Sequence, residues 1–151
     1  MMRFEFKKVE KRDWKILLQW RNDSLTKEMS LNKKKITLKE HFEYMLEISY
    51  NNKINQFLFI HLNNKIGILK EDFSDNLIKY LSYTINPKYR NKGYGNLMMY
   101  LYLFENSGTF VCEVKKNNIA SINMCKRNNF ILHEEKEETY IYKLKKNEKK
   151  K

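Results

Sequence analysis

The hexapeptide Arg90-Asn91-Lys92-Gly93-Tyr94-Gly95 carries the strongest chemical signal in the chain. It lies between an extended apolar run that stops at Asn86-Pro87 and an apolar helical run that starts near Leu97. A chain can there turn several backbone N–H groups and a helix N-terminus toward a pyrophosphate. Glycines let the main chain approach closely, Arg90 and Lys92 add positive charge, and an arginine can grip phosphate bidentately. A plain structural turn accounts for a lone Gly-x-Gly equally well, so the loop by itself leaves both readings open. A second feature is Glu113, set in the apolar run Phe110-Val111-Cys112-Glu113-Val114. An ionised carboxylate inside a sheet is costly unless a partner or water serves it. The position suits a general base acting through water, or a structural carboxylate paired with a nearby lysine. Glu71 and Asp72, expected just after the third strand, are weaker alternatives, and His61 and His133 fall in strands and read as structural.

The elements that must position these groups follow from periodicity. Arg3 to Val9 alternates as a strand, and Asp13 precedes Trp14, Ile16, Leu17, Leu18 and Trp20 at helical spacing. A polar stretch, Ser30 to Lys35, separates this helix from a second one, which Thr37 caps with Glu40 three residues on, the spacing of a capping box. Phe57–Leu62 and Ile66–Leu69 predict a hairpin turning at Asn63-Asn64, and Leu77–Ile85 a fourth strand. Beyond the loop come a helix over Leu97–Phe104, a strand over Thr109–Val114, a helix over about Asn118–Arg127, and two strands over Phe130–Glu134 and Tyr140–Leu144.

The chain of 151 residues suits one domain over 1–145 followed by a basic tail, 146–151. No apolar run approaches the ~18 residues of a membrane span and the N-terminus has no apolar secretory core, so a cytoplasmic location without membrane partners is expected. Cys112 and Cys125 form no CxxC and no histidines cluster, which points to reduced thiols and no metal site. The formal charge of +12 is spread over lysines throughout the chain and does not interleave with aromatics in one stripe. It therefore fits small polyanionic ligands better than a nucleic-acid surface.

The element order, with Arg-x-x-Gly-x-Gly after the fourth strand, resembles the Gcn5-related N-acetyltransferase (GNAT) family, whose coenzyme A signature is Gln/Arg-x-x-Gly-x-Gly/Ala. The segment from Asn118 through Ser121 and Cys125 to Asn129-Phe130 is similar to the second half of the family pattern. A Rossmann signature is excluded by the missing third glycine and the absence of a suitably placed acidic residue. The resemblance implies an α/β (α+β) fold with a central mixed seven-stranded sheet, splayed between strands 4 and 5 and flanked by about four helices. It implies acetyl coenzyme A as cosubstrate, held by main chain at Tyr83, Thr84 and Ile85, by Arg90 to Gly95, and by Asn118 and Ser121. The family's usual general acid is a tyrosine that aligns here with Cys125, and a thiol, a stronger acid than a phenol, could serve. A small buried helix residue is the other reading of Cys125, and Tyr83 is a spare candidate for the acid.

Trp20-Arg21-Asn22, Leu38-Lys39-Glu40-His41 and Glu113-Val114 bring the resemblance closer to the nucleotide-amino-sugar N-acetyltransferases of pseudaminic acid biosynthesis. This implies an acceptor amine on a UDP-linked 4-amino-deoxy sugar, with Arg21 meeting nucleotide phosphate and His41 lining the acceptor pocket. Core packing for Trp20 and a helix C-cap for Arg21 are the structural readings. Ribosomal-protein N-terminal acetyltransferases share a related N-terminal half and would want an open neutral or acidic groove, whereas a UDP-sugar wants a closed basic pocket. A non-catalytic acyl-CoA-binding module is a third possibility, and a monomer or homodimer is compatible with all of them.

Overall fold

A computed structural model of the chain describes residues 3–148. One seven-stranded sheet runs through it, built from β1 (Phe4–Lys8), β2 (Ile54–His61), β3 (Asn64–Asp72), β4 (Lys79–Ile85), β5 (Gly108–Lys115), β6 (Ile131–Glu135) and β7 (Thr139–Lys146). The spatial order is β1-β2-β3-β4-β5-β7-β6, and every neighbouring pair is antiparallel except β4–β5. The helices are α1 (Trp14–Asn22), α2 (Ser24–Met29), α3 (Leu38–Ser49), α4 (Tyr94–Glu105) and α5 (Ile119–Arg127).

Alternation along the strands separates two cores, because successive side chains leave opposite faces of the sheet. On β2, Phe59 joins the core under α4 and α5 with Met98, Met99, Phe110 and Phe130, while Leu58 and Ile60 join Trp14, Leu17, Trp20 and Met45 under α1 and α3. Both helical layers are thus held by apolar burial of the same sheet.

Local signals act much as the sequence implies. The Thr37 hydroxyl accepts from the Glu40 amide at 3.1 Å and donates to its carboxylate at 2.9 Å, which starts α3. The hairpin turn differs by one residue from the expectation. It falls on Leu62-Asn63, both at positive φ, because the register pairs His61 with Asn64. At the end of α5, Asn129 takes a φ of 68°, a left-handed conformation that favours glycine and that asparagine tolerates. Phe130 is thereby turned into the core.

Two expectations are corrected. Glu71 and Asp72 lie within β3, not beyond it. A fifth helix, α2, occupies a stretch where the periodicity predicts none. It spans six residues, buries none of them fully, and is capped by Asp23, whose carboxylate accepts from the Thr26 amide at 3.2 Å. With only Leu25 and Met29 apolar it is too short to show a hydrophobic period. At the C-terminus β7 extends to Lys146, one residue into the expected tail, and Lys149 to Lys151 lie outside the described residues. Among the described residues no helix is long and apolar enough to cross a membrane.

Candidate active site

The two central strands pair over only two positions, Lys79 with Phe110 and Tyr80 with Val111. Past that point β4 stays paired with β3 as far as Ile85, and β5 stays paired with β7 as far as Lys115, so the two strands part. Backbone groups of β4 beyond Leu81 that would have met β5 face a gap instead, and such groups seek another partner. Gly67 lets β3 follow β4 here, since a Cβ at that position would lie 2.8 Å from the Thr84 carbonyl oxygen.

The gap leads to the loop and to α4. Asn86 anchors the turn with its own side chain, accepting from the Lys88 amide at 3.1 Å and donating to the Lys65 carbonyl at 2.9 Å. Asn91 and Gly93 then adopt φ values of 60° and 80°. Gly93 is the N-cap of α4 with no side-chain cap, and the first backbone bond of the helix runs from the Leu97 amide to the Gly93 carbonyl. The amides of Tyr94, Gly95 and Asn96 therefore lack intrahelical acceptors and open toward the cleft with the positive end of the helix dipole.

Gap, loop and helices enclose one cleft of about 930 Å³. Tyr83, Thr84, Ile85, Arg90, Asn91, Gly93, Tyr94, Gly95, Asn118 and Ser121 all line it, as do Arg21, His41 and Glu113. Lys92 does not; it is exposed, with its ammonium 5.8 Å above the Tyr89 ring. The guanidinium of Arg90 is already engaged, paired with the Asp23 carboxylate and donating to Thr26 Oγ1 at 2.6 Å. Burial alone would raise the Asp23 carboxyl, but the hydrogen bonds from Arg90 and Thr26 outweigh it and hold it below the usual carboxylate range. Asn118 caps α5, accepting from the Ser121 amide at 3.2 Å.

The two acid candidates differ sharply in placement. Cys125 is wholly buried and does not line the cleft; it stands one turn beyond Ser121 on α5 and meets Cys112 in the core. The Cys112 thiol is pushed up by its hydrogen bond with Cys125 and by burial. Tyr83 lines the cleft, shares a hydrogen bond of 2.8 Å with the Ser121 hydroxyl, and crosses the gap from β4 to α5 in doing so. Burial, only partly offset by the Ser121 bond, pushes its phenol up to about 12.

Glu113 is also corrected. It is exposed, not buried in the sheet, and its carboxylate accepts from Thr139 Oγ1 at 2.7 Å and stands 3.7 Å from Lys136. Glu71 is buried away from the cleft, accepting from Asn55 at 2.9 Å and from the Tyr102 hydroxyl, while Asp72 is taken up by Ser74. Burial, and then the bond to Glu71, push the Tyr102 phenol upward.

On the far wall, His41 is buried, and its Nε2 lies 2.7 Å from the Trp14 carbonyl, so Nε2 carries the proton and Nδ1 is the acceptor. Burial lowers the His41 pKa below its ordinary value, and the Trp14 bond only partly opposes this. Arg21 donates through Nη2 to the Asn32 carbonyl, and Nη1 is the one buried side-chain nitrogen or oxygen without a partner among the described residues. Asn22 clamps the following loop at two points, accepting from the Ile36 amide at 2.8 Å and donating to its carbonyl at 2.7 Å. Lys70, Tyr44 and the α2 residues Leu25, Thr26 and Met29 complete this wall and carry no sequence signal beyond the N-cap preference of Asp23. Among the described residues no group of three or more His, Cys, Asp or Glu could hold a metal ion.

No protein-family model and no curated protein matches the sequence. Solved structures do match along nearly the whole chain. The Campylobacter jejuni N-acetyltransferase PseH in complex with acetyl coenzyme A is 18% identical, with a TM-score of 0.75 over 96% of this chain and all of that one. The Vibrio cholerae spermidine N-acetyltransferase in complex with CoA and spermine is 12% identical, with a TM-score of 0.78 over 93% of this chain and 92% of that one. An aminoglycoside acetyltransferase in complex with coenzyme A and kanamycin is 13% identical, with a TM-score of 0.78 over 95% of both chains. The fold of this chain is the fold of these GNAT acetyltransferases, as the element order implies.

Proposed function

We propose that the chain is an acetyl-CoA-dependent N-acetyltransferase, in which a primary amine attacks the thioester directly within a ternary complex. The observation that carries this reading is the gap between β4 and β5, which ends at the uncapped amides of the Gly93–α4 turn. The amides from Asn91 to Asn96 would hold the pyrophosphate, with the side-chain charge of Arg90 spent on Asp23. The free edge of Tyr83, Thr84 and Ile85 would take the pantetheine arm and polarise the acetyl carbonyl. The neutral amine forms the new C–N bond as the C–S bond breaks, its surplus proton passes to water, and the departing sulfur takes a proton from the Tyr83 hydroxyl. A phenol at about 12 stays protonated until that moment. Ser121, bonded to the same hydroxyl, aims it and can supply the replacement proton.

The acceptor we infer is the 4-amino group of a UDP-linked amino-deoxy sugar. With Arg90 neutralised by Asp23, Arg21, Lys70 and Arg127 line the cleft against two carboxylates, Glu40 and Glu113, and Glu113 stands 3.7 Å from Lys136. Polycations such as the spermine and kanamycin bound by the two neighbours above would meet charge of their own sign. The buried, unpartnered Nη1 of Arg21 supports an acceptor with an anionic group remote from its amine. The test is free-thiol release from acetyl-CoA with UDP-4-amino sugars, polyamines, aminoglycosides and N-terminal peptides. Turnover with the nucleotide sugar is expected. Turnover confined to peptides would make the chain a protein N-acetyltransferase, and silence across the panel with retained coenzyme A binding would leave a binding module.

A further inference from the structure

Arg90 belongs by sequence to the phosphate loop, yet its guanidinium reaches across the cleft to the start of α2, pairing with Asp23 and donating to Thr26 Oγ1 at 2.6 Å. At the other end of α2, Lys115 of β5, itself 7% exposed, donates to the Glu28 carbonyl at 2.9 Å. Between these tethers α2 buries no residue, and six residues are too few for a helix to hold itself in water. Its position is therefore set by polar side chains 67 and 87 residues away, both from the half of the molecule proposed to form the donor site. Leu25, Thr26 and Met29 of this helix line the cleft.

We propose that the Arg90–Asp23 pair is a positioning device for the acceptor: it fixes α2 as a wall of the acceptor pocket and so sets how tightly the amine substrate binds, while the main chain of the loop serves the donor. As a statement about catalysis this rests on the acetyltransferase reading; as a statement about α2 it does not. Arg90 has two claimants, a carboxylate within the protein and the phosphates of the donor. The planar fork suits either, but a carboxylate on the same chain is always present, and Nη2 already serves both Asp23 and Thr26.

The test uses Asp23→Asn, which keeps a good N-cap for α2 but removes the charge, Arg90→Gln, and the double variant. Each single change is expected to raise the acceptor KM about tenfold with kcat and acetyl-CoA Kd within about twofold, and the double variant to equal the worse single, as coupled residues do. In ligand-free protein, hydrogen exchange at the amides of residues 24–29 is expected to rise about tenfold in all three variants. Exchange unchanged in Asp23→Asn and Arg90→Gln would overturn the tether whatever the enzymology. A donor Kd that weakens tenfold in Arg90→Gln and tightens in Asp23→Asn would overturn it in favour of a phosphate contact. A wild type that binds no acetyl-CoA would remove the acetyltransferase reading and leave the exchange experiment to decide the tether alone.

Discussion

The two walls of the cleft are built on different principles. The wall proposed for the donor is main chain: a strand edge freed by the parting of β4 from β5, a loop with two left-handed residues, and a helix that begins on a glycine. The acceptor wall is held by side chains that cross long stretches of sequence, from Arg21 and Asn22 to the loop at 32–36, from Arg90 to Asp23, and from Lys115 to Glu28. A main-chain site tolerates wide change of side chains provided that its glycines and its pairing stay. A site of tethered side chains can be re-cut one residue at a time, and there the acceptor preference is free to differ.

This contrast is open to attack from the donor side first. Gly93→Asp is expected to weaken acetyl-CoA binding at least a hundredfold, about 3 kcal/mol, by calorimetry. A Cβ there meets nothing within 4 Å and aspartate tolerates left-handed backbone, so the fold should survive the change. Retained affinity would show that the loop does not hold phosphate. Tyr83→Phe should lower kcat about 30-fold without changing donor affinity, at the low end for a general acid because a thiolate leaves tolerably unaided. With the phenol at about 12, the wild-type rate should rise with pH until the acceptor amine is deprotonated and then hold level, with no falling limb from this residue before its own titration. Cys125→Ala should leave kcat within about threefold; a larger loss with binding intact would return the acid role to the buried thiol.

A fourth change probes the strand edge itself. Gly67→Ala would force a Cβ against the Thr84 carbonyl and within 3.0 Å of Ile85 Cδ1, and should cost about 2 kcal/mol in urea unfolding as β4 shifts. The smallest effect belongs to the acceptor wall. His41 binds protons less readily folded than unfolded, so between its lowered folded pKa and the ordinary value near 6.5 the unfolded chain holds more protons and stability falls with acidification. The loss starts as pH drops through about 6.5, and the slope should be shallower in His41→Gln. An unchanged slope would place the titrating group elsewhere.

How much of this was legible in the residues differs by feature. The capping box at Thr37, the β2–β3 hairpin and the helix after Gly95 are read from neighbours in sequence, and their physics is local. Glu113 misleads because its flanks Val111, Cys112, Val114 and Lys115 are all buried, while its own face is laid open by the cleft. Nothing in Phe110–Val114 signals that the adjacent strand departs two residues into the pairing. Counting back from Phe130 places Cys125 on its turn of α5 but not on a side of the helix: the Tyr83–Ser121 bond holds the cleft side and the thiol meets Cys112 in the core. Helix α2 left no apolar period because tethers, not burial, hold it.

Local spacing alone determined that a strand, a glycine turn and an uncapped helix follow one another near residue 90, and hence that an anion could be cradled there, since φ preferences and helix-end amides depend only on adjacent residues. Which cations remain free to meet a ligand was decided by the tertiary structure. A charge spends itself on the nearest partner in space, and the partners of Arg90, Glu113 and Lys115 lie 67, 26 and 87 residues away along the chain.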